Sequence, residues 1–215
     1  MDPILRRSSF YYMTTFVIFN GILGRFLGRD PWPAFEAIPL LMPVYLMSAV
    51  LFSEAGESYA FLRTLPVRDG RIVGTKFALI GLSTTLYWIG MMTIALGRMD
   101  EGVSSPSTLV YVTIVCAGGL LLASGLQLAI WSFGRAKVVG PAVVIGGLNL
   151  VLVIVHTASL RRTPDWPVFA HTWPIDWMGR MPWLSVPALT ALAAIAAVWL
   201  MRVGVRVKEH SEAAL

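Results

Sequence analysis

Three histidines, one cysteine and one serine set among small residues are the side chains of this chain with most chemistry to offer. His156, His171 and His210 are scattered, and none belongs to an HExxH pattern or a repeated ligand spacing, so they define no metal site. Cys116 is the single thiol and lies in an apolar run, where it reads as a packing residue. Ser124, in the LASG stretch Leu122–Gly125, would be a nucleophile if a histidine from another helix met it, and His156 is the candidate base. Counted along their apolar runs, the two fall toward opposite ends, farther apart than a hydrogen bond reaches. Gly118, Gly119, Ala123, Ser124 and Gly125 read better as a close-packing helix face. The segment GRIVGTKF approaches a phosphate-binding loop and misses it. Three residues separate Gly70 from Gly74, Thr75 intervenes before Lys76, and Phe77 stands where a magnesium-binding hydroxyl is needed. Neither a catalytic residue nor a metal ligand is assigned.

The elements that would position these residues follow from composition. Of 215 residues, 56% are hydrophobic and 13% charged, and mean hydropathy is +0.70. Soluble domains carry about 25% charged residues, and a soluble chain of this length has no interior large enough for the excess apolar surface. Lipid is the remaining solvent. Six segments approach the roughly 20 apolar residues a spanning helix needs: Phe10–Leu27, Ala37–Phe52, Ile72–Leu96, Thr108–Phe133, Val138–Ala158 and Leu184–Met201. The expected fold is a single all-α membrane domain over residues 1–215, with six transmembrane helices. The first span follows Arg6 and Arg7 with no small-residue cleavage site behind it, as in a retained signal-anchor. Pro39 and Pro43 predict a tilt or kink in the second.

Six spans place both termini on one side. That side receives Arg6, Arg7, Arg63, Arg68, Arg71, Lys76, Arg135, Lys137, Arg202, Arg206 and Lys208; Arg25, Arg29, Arg98, Arg161, Arg162 and Arg180 fall opposite. An excess of Lys and Arg marks the cytoplasmic face, so both termini are expected there, in the cytoplasmic (inner) membrane. The net charge of +5 is accounted for by topology and anionic headgroups, without nucleic acid. Within the spans the polar side chains are few, Asn20, Gln127 and Asn149 besides hydroxyls, and no Asp, Glu, Lys or Arg falls near mid-membrane. Coupled secondary carriers place such charges there, so this pattern disfavours one. The outer segment 159–183 contains RRTPDWPVFAHTWPIDWMGRMPW, with Trp166, Trp173, Trp177 and Trp183 interleaved with prolines. Short broken helices in the headgroup layer are expected, either as an aromatic belt or as a cap gating substrate.

The densest charged passage of the first half is ESYAFLRTLPVRDGRIVGTKF, residues 57–77. Tyr59, Phe61, Leu62 and Leu65 fall at spacings of three and four and share a face. Pro66 stops this short helix (57–65), and Val67–Gly70 is expected to turn before the third span starts near Arg71. Two turns are marginal in water, so lipid headgroups or a groove in a soluble partner must receive the apolar face. Arg71 and Lys76 are expected to snorkel and anchor the span.

This passage resembles the first cytoplasmic loop of ABC exporter permeases of the type-2 class. The matching residues are the acidic Glu54 and Glu57, FLRTLP, and the basic turn VRDGRIVGTKF. The layout of six spans, a very short fourth-to-fifth loop and a broken outer segment is similar too. Only about nine residues precede the first span, where that family often carries a longer amphipathic elbow helix. The resemblance implies a coupling helix that docks on a separate cytoplasmic ATPase, with Tyr59, Phe61, Leu62 and Leu65 as the apolar face. Glu57, Arg63, Pro66, Arg68 and Asp69 complete its edges and stop, and Arg135 and Lys137 form a second cytoplasmic contact. It further implies two ATPase copies that bind ATP and Mg, no cofactor on this chain, and a second permease copy or homologue. The substrate path would lie between permeases, with Pro39, Pro43, Asn149, Trp173 and Trp177 as lining candidates; an amphipathic or apolar substrate such as a lipid, peptide or drug is expected. The alternative is a stand-alone intramembrane enzyme or channel, since LASG also faintly resembles the serine motif of rhomboid proteases.

Overall fold

The computed structural model describes residues 42–48, 50–51, 69–100, 105–160 and 172–213, and among them every regular element is helical. Helical residues 42–48 and 50–51 precede five helices: α1 (Asp69–Asp100), α2 (Pro106–Phe133), α3 (Arg135–Leu160), α4 (Ile175–Gly179) and α5 (Pro182–Ala213). Three of these are long and apolar enough to cross a membrane, over Arg71–Gly97, Pro106–Phe133 and Pro182–Val207. At about 1.5 Å per residue each exceeds the ~30 Å hydrocarbon core. Within α3, Ala136–Asn149 is an apolar stretch. The second expected span is represented by residues 42–51, and the first, Phe10–Leu27, lies outside the described residues.

Helix α2 is apolar on every side and therefore belongs at the centre. Over half of its apolar stretch is buried (56%), against 6% for α5, which sits at the periphery. α1 and α2 form an antiparallel pair: the Phe77 and Trp131 rings meet at one end with centroids 6.0 Å apart, Trp88 Nε1 donates to Thr113 Oγ1 (3.1 Å) midway, and Met92, Ala95 and Leu109 cluster at the other end. α5 runs parallel to α2, because Val186 joins the Met92–Leu109 cluster while Gly204 meets the Trp131 ring. The early segment packs against the middle of α2, with Pro43 and Leu46 at 3.5 Å from where Gly119 would carry a Cβ. Helical hydroxyls turn back on their own backbone, as Thr84 does to the Ile80 carbonyl and Thr113 to that of Leu109 (both 2.8 Å). That satisfies each hydroxyl without a partner helix.

Three boundaries differ from the sequence reading. Asp69 and Gly70, expected in the turn, are the first residues of α1. The turn SFGRAKVVGP contracts to one non-helical residue, Gly134, with φ 82° and ψ 149°. Only glycine adopts that backbone at no steric cost, so a single residue redirects the chain and α3 starts at Arg135. Pro141 then lies within α3, seven residues into the helix. In the outer segment, α3 persists to Leu160 and α5 begins at Pro182, leaving α4 as the described broken helix. Lys76, expected to snorkel outward, is instead buried (7% exposed), whereas Arg71 is exposed.

Candidate functional site

The packing sorts chemistry to the two ends of the bundle. One end gathers the start of α1, the end of α2, the start of α3 and the last turns of α5. It carries the exposed Arg71, Lys137, Arg202 and Arg206, and Arg135 opens α3 there. The other end gathers the close of α1, the start of α2, all of α4 and the start of α5, with the exposed Trp173, Trp177 and Trp183. A basic end and a tryptophan end separated by apolar helices match the two interfaces of a bilayer.

At the basic end the coupling-helix residues Glu57, Tyr59, Phe61, Leu62, Arg63, Leu65, Pro66 and Arg68 lie outside the described residues, as does Glu54. Their attachment is described: Asp69 opens α1, a continuous helix of 32 residues. Of the residues proposed to line a path, Pro39 lies outside the described residues, Pro43 is buried against α2, and Asn149 is half-buried on α3. Trp173 (84% exposed) and Trp177 (60%) stand together at the tryptophan end.

That end holds a feature the sequence reading missed. α4 folds back onto the start of α5, tied there by Ser185 Oγ donating to the Met178 carbonyl (2.9 Å). Gly179 lets α4 close onto α2, since a Cβ there would lie 2.8 Å from Ser107 Cα. Between α4 and α5 runs an open groove of about 250 Å³, almost wholly apolar, lined chiefly by Trp177, Met178, Met181, Leu184, Leu189 and Leu192. Asp176 on α4 pairs with Arg180, the residue just past its end, at 3.7 Å. Both are well exposed to solvent, so the pair contributes only about 0.3–0.5 kcal/mol. The signal in the sequence was the spacing of Leu184, Ala188 and Leu192 by four, which puts them on one stripe of α5.

In the interior, Ser124 is fully buried on α2 and its Oγ has no hydrogen-bond partner among the described residues; Trp131 Nε1 is in the same state. His156 is helical, and its side chain lies outside the described residues, as does His171. Among the described residues no three His, Cys, Asp or Glu side chains gather as metal ligands.

The fold and its two ends define a multi-pass helical membrane protein. Beyond that class the comparisons add no relative: no family model, no curated protein and no solved structure matches the chain.

Proposed function

We propose that this protein is the membrane subunit of an ATP-driven exporter of the kind formed by type-2 ABC permeases. It would span the inner membrane six times with both ends cytoplasmic, and move an amphipathic or apolar substrate outward. One observation carries the reading: the loop motif FLRTLPVRDG runs directly into α1 at the basic end of the bundle. If the preceding motif forms the short amphipathic helix its spacing predicts, that helix and the 32-residue rod would act together as a lever. Force applied by a soluble ATPase at Phe61 and Leu65 would travel along α1 to α2 through the Phe77–Trp131 and Trp88–Thr113 contacts. The six-span count is supported by the path of the chain. It leaves α2 at the basic end through Gly134 and is at the tryptophan end by Gly179, having passed through α3. The 26 residues of α3 measure about 39 Å as a helix, enough to cross.

The engine is a partner: two copies of a cytoplasmic ATPase that hold ATP and Mg, working with a second permease copy. The test is co-purification. Phe61→Asp combined with Leu65→Asp is expected to abolish recovery of a cassette ATPase that co-purifies with the wild type, while leaving the permease in the membrane fraction. ATPase recovery at wild-type level would overturn the reading. So would activity in the isolated chain that Ser124→Ala removes, which is the outcome a rhomboid-like enzyme would give.

A further inference from the structure

The side of α5 turned away from the bundle has a charge and a depth that together specify what covers it. Gly204 fixes the inward side, because it meets the Trp131 ring of α2. At about 100° per residue, Arg202 and Arg206 each fall about 160° round the helix from that glycine. They are therefore neighbours on the outer face, one turn apart, and both are exposed. Trp199, also exposed, stands just under a turn inward of Arg202, and the exposed Ile195 continues the face toward the middle of the helix. Among the described residues Arg202 has no hydrogen-bond or ion-pair partner.

Depth is set from the other end of α5. The exposed Trp183 marks the opposite headgroup layer, and from it to Arg202 the helix rises about 29 Å, close to the ~30 Å of a hydrocarbon core. Arg202 thus reaches the level where lipid phosphates begin, with Trp199 just beneath it. A phosphate there both neutralises the guanidinium and accepts its paired N–H donors. A second copy on this face, related by a twofold axis along the membrane normal, would instead set Arg202 against its own counterpart. We propose that Arg202, with Arg206 and Trp199 beside it, binds the phosphodiester of one anionic phospholipid, a phosphatidylglycerol in preference to a phosphatidylcholine. Both headgroups carry the phosphate, but choline brings a cation toward two arginines on one face, and glycerol brings none. The inference needs only that α5 crosses the membrane, so failure of the co-purification experiment leaves it standing.

The test is native mass spectrometry of the purified full chain, titrated with phosphatidylglycerol and phosphatidylcholine of identical acyl chains. The wild type is expected to retain the glycerol lipid about 5-fold better, the size one arginine at a headgroup layer supports. Arg202→Gln is expected to remove most of that preference, and Trp199→Ala to lower retention of both lipids alike. Arg71→Gln, which removes an exposed charge at the same end of the bundle but on α1, is expected to leave the preference standing. Equal retention of the two lipids by the wild type would overturn the proposal, whatever the variants do. So would an undiminished preference in Arg202→Gln, or one that Arg71→Gln lowers as far, the mark of a diffuse basic end. A dimer that Trp199→Ala dissociates while lipid retention is unchanged would overturn it too.

Discussion

Gly179 and Gly204 hold positions where one extra carbon matters, and for different reasons. At Gly179 a Cβ would lie 2.8 Å from the backbone of Ser107, which has no room to yield. At Gly204 it would meet the Trp131 ring at 3.2 Å, a contact a small ring shift relieves. Gly179→Ala is therefore expected to destabilise by about 1–3 kcal/mol, and Gly204→Ala by less. Gly147, with open space around it on α3, is the control: Gly147→Ala is expected to be neutral or stabilising by up to about 1 kcal/mol. Thermal melts of the three variants in one detergent would establish the order. None of these differences is legible in the sequence, where the three residues look alike. Lys76 teaches the same lesson from the other side. Its place near a helix end pointed to the headgroup layer, but it lies on the buried side of α1, between buried Val73 and Phe77. Periodicity tells which residues share a face, and only packing tells which face is covered.

Helix α2 was readable almost to the residue, because an apolar run with Pro106 at its start and Gly134 after its end admits few alternatives. The start of α3 was not, because Gly134, Gly140 and Pro141 in close succession look like an extended turn and only one of them acts as one. The groove was out of reach for a further reason: it belongs to no element, arising where α4 folds back on α5. For α1, continuity is what the proposed lever requires. If the proposal holds, inserting two glycines after Gly74 is expected to leave ATPase recovery intact, since the proposed docking residues lie upstream, while substrate export falls at least 10-fold. ATPase binding and export measured on the same membranes separate the two effects. Export at the wild-type rate would show that stiffness in α1 is not used.

At the scale of the whole molecule, the membrane class and the polarity of its ends were visible in composition and in the placement of arginines and lysines. The partners and cargo that the exporter reading proposes leave no such mark inside one chain. The claim that α3 crosses can be checked directly. In a Cys116→Ser background, Lys137→Cys and Arg180→Cys, both at exposed positions, are expected to react with a membrane-impermeant maleimide from opposite sides of sealed vesicles. Labelling of both from one side would remove a crossing and with it the six-span topology. The parallel seating of α5 on α2 also bears on how the protein is made. About 80 residues separate the end of α2 from the end of α5, which at about 5–20 residues per second is roughly 4–16 s of translation. Throughout that interval the α2 surface around Trp131 waits in lipid for a helix still on the ribosome, and a nascent chain halted there would offer that surface to whatever insertase or chaperone stands beside it.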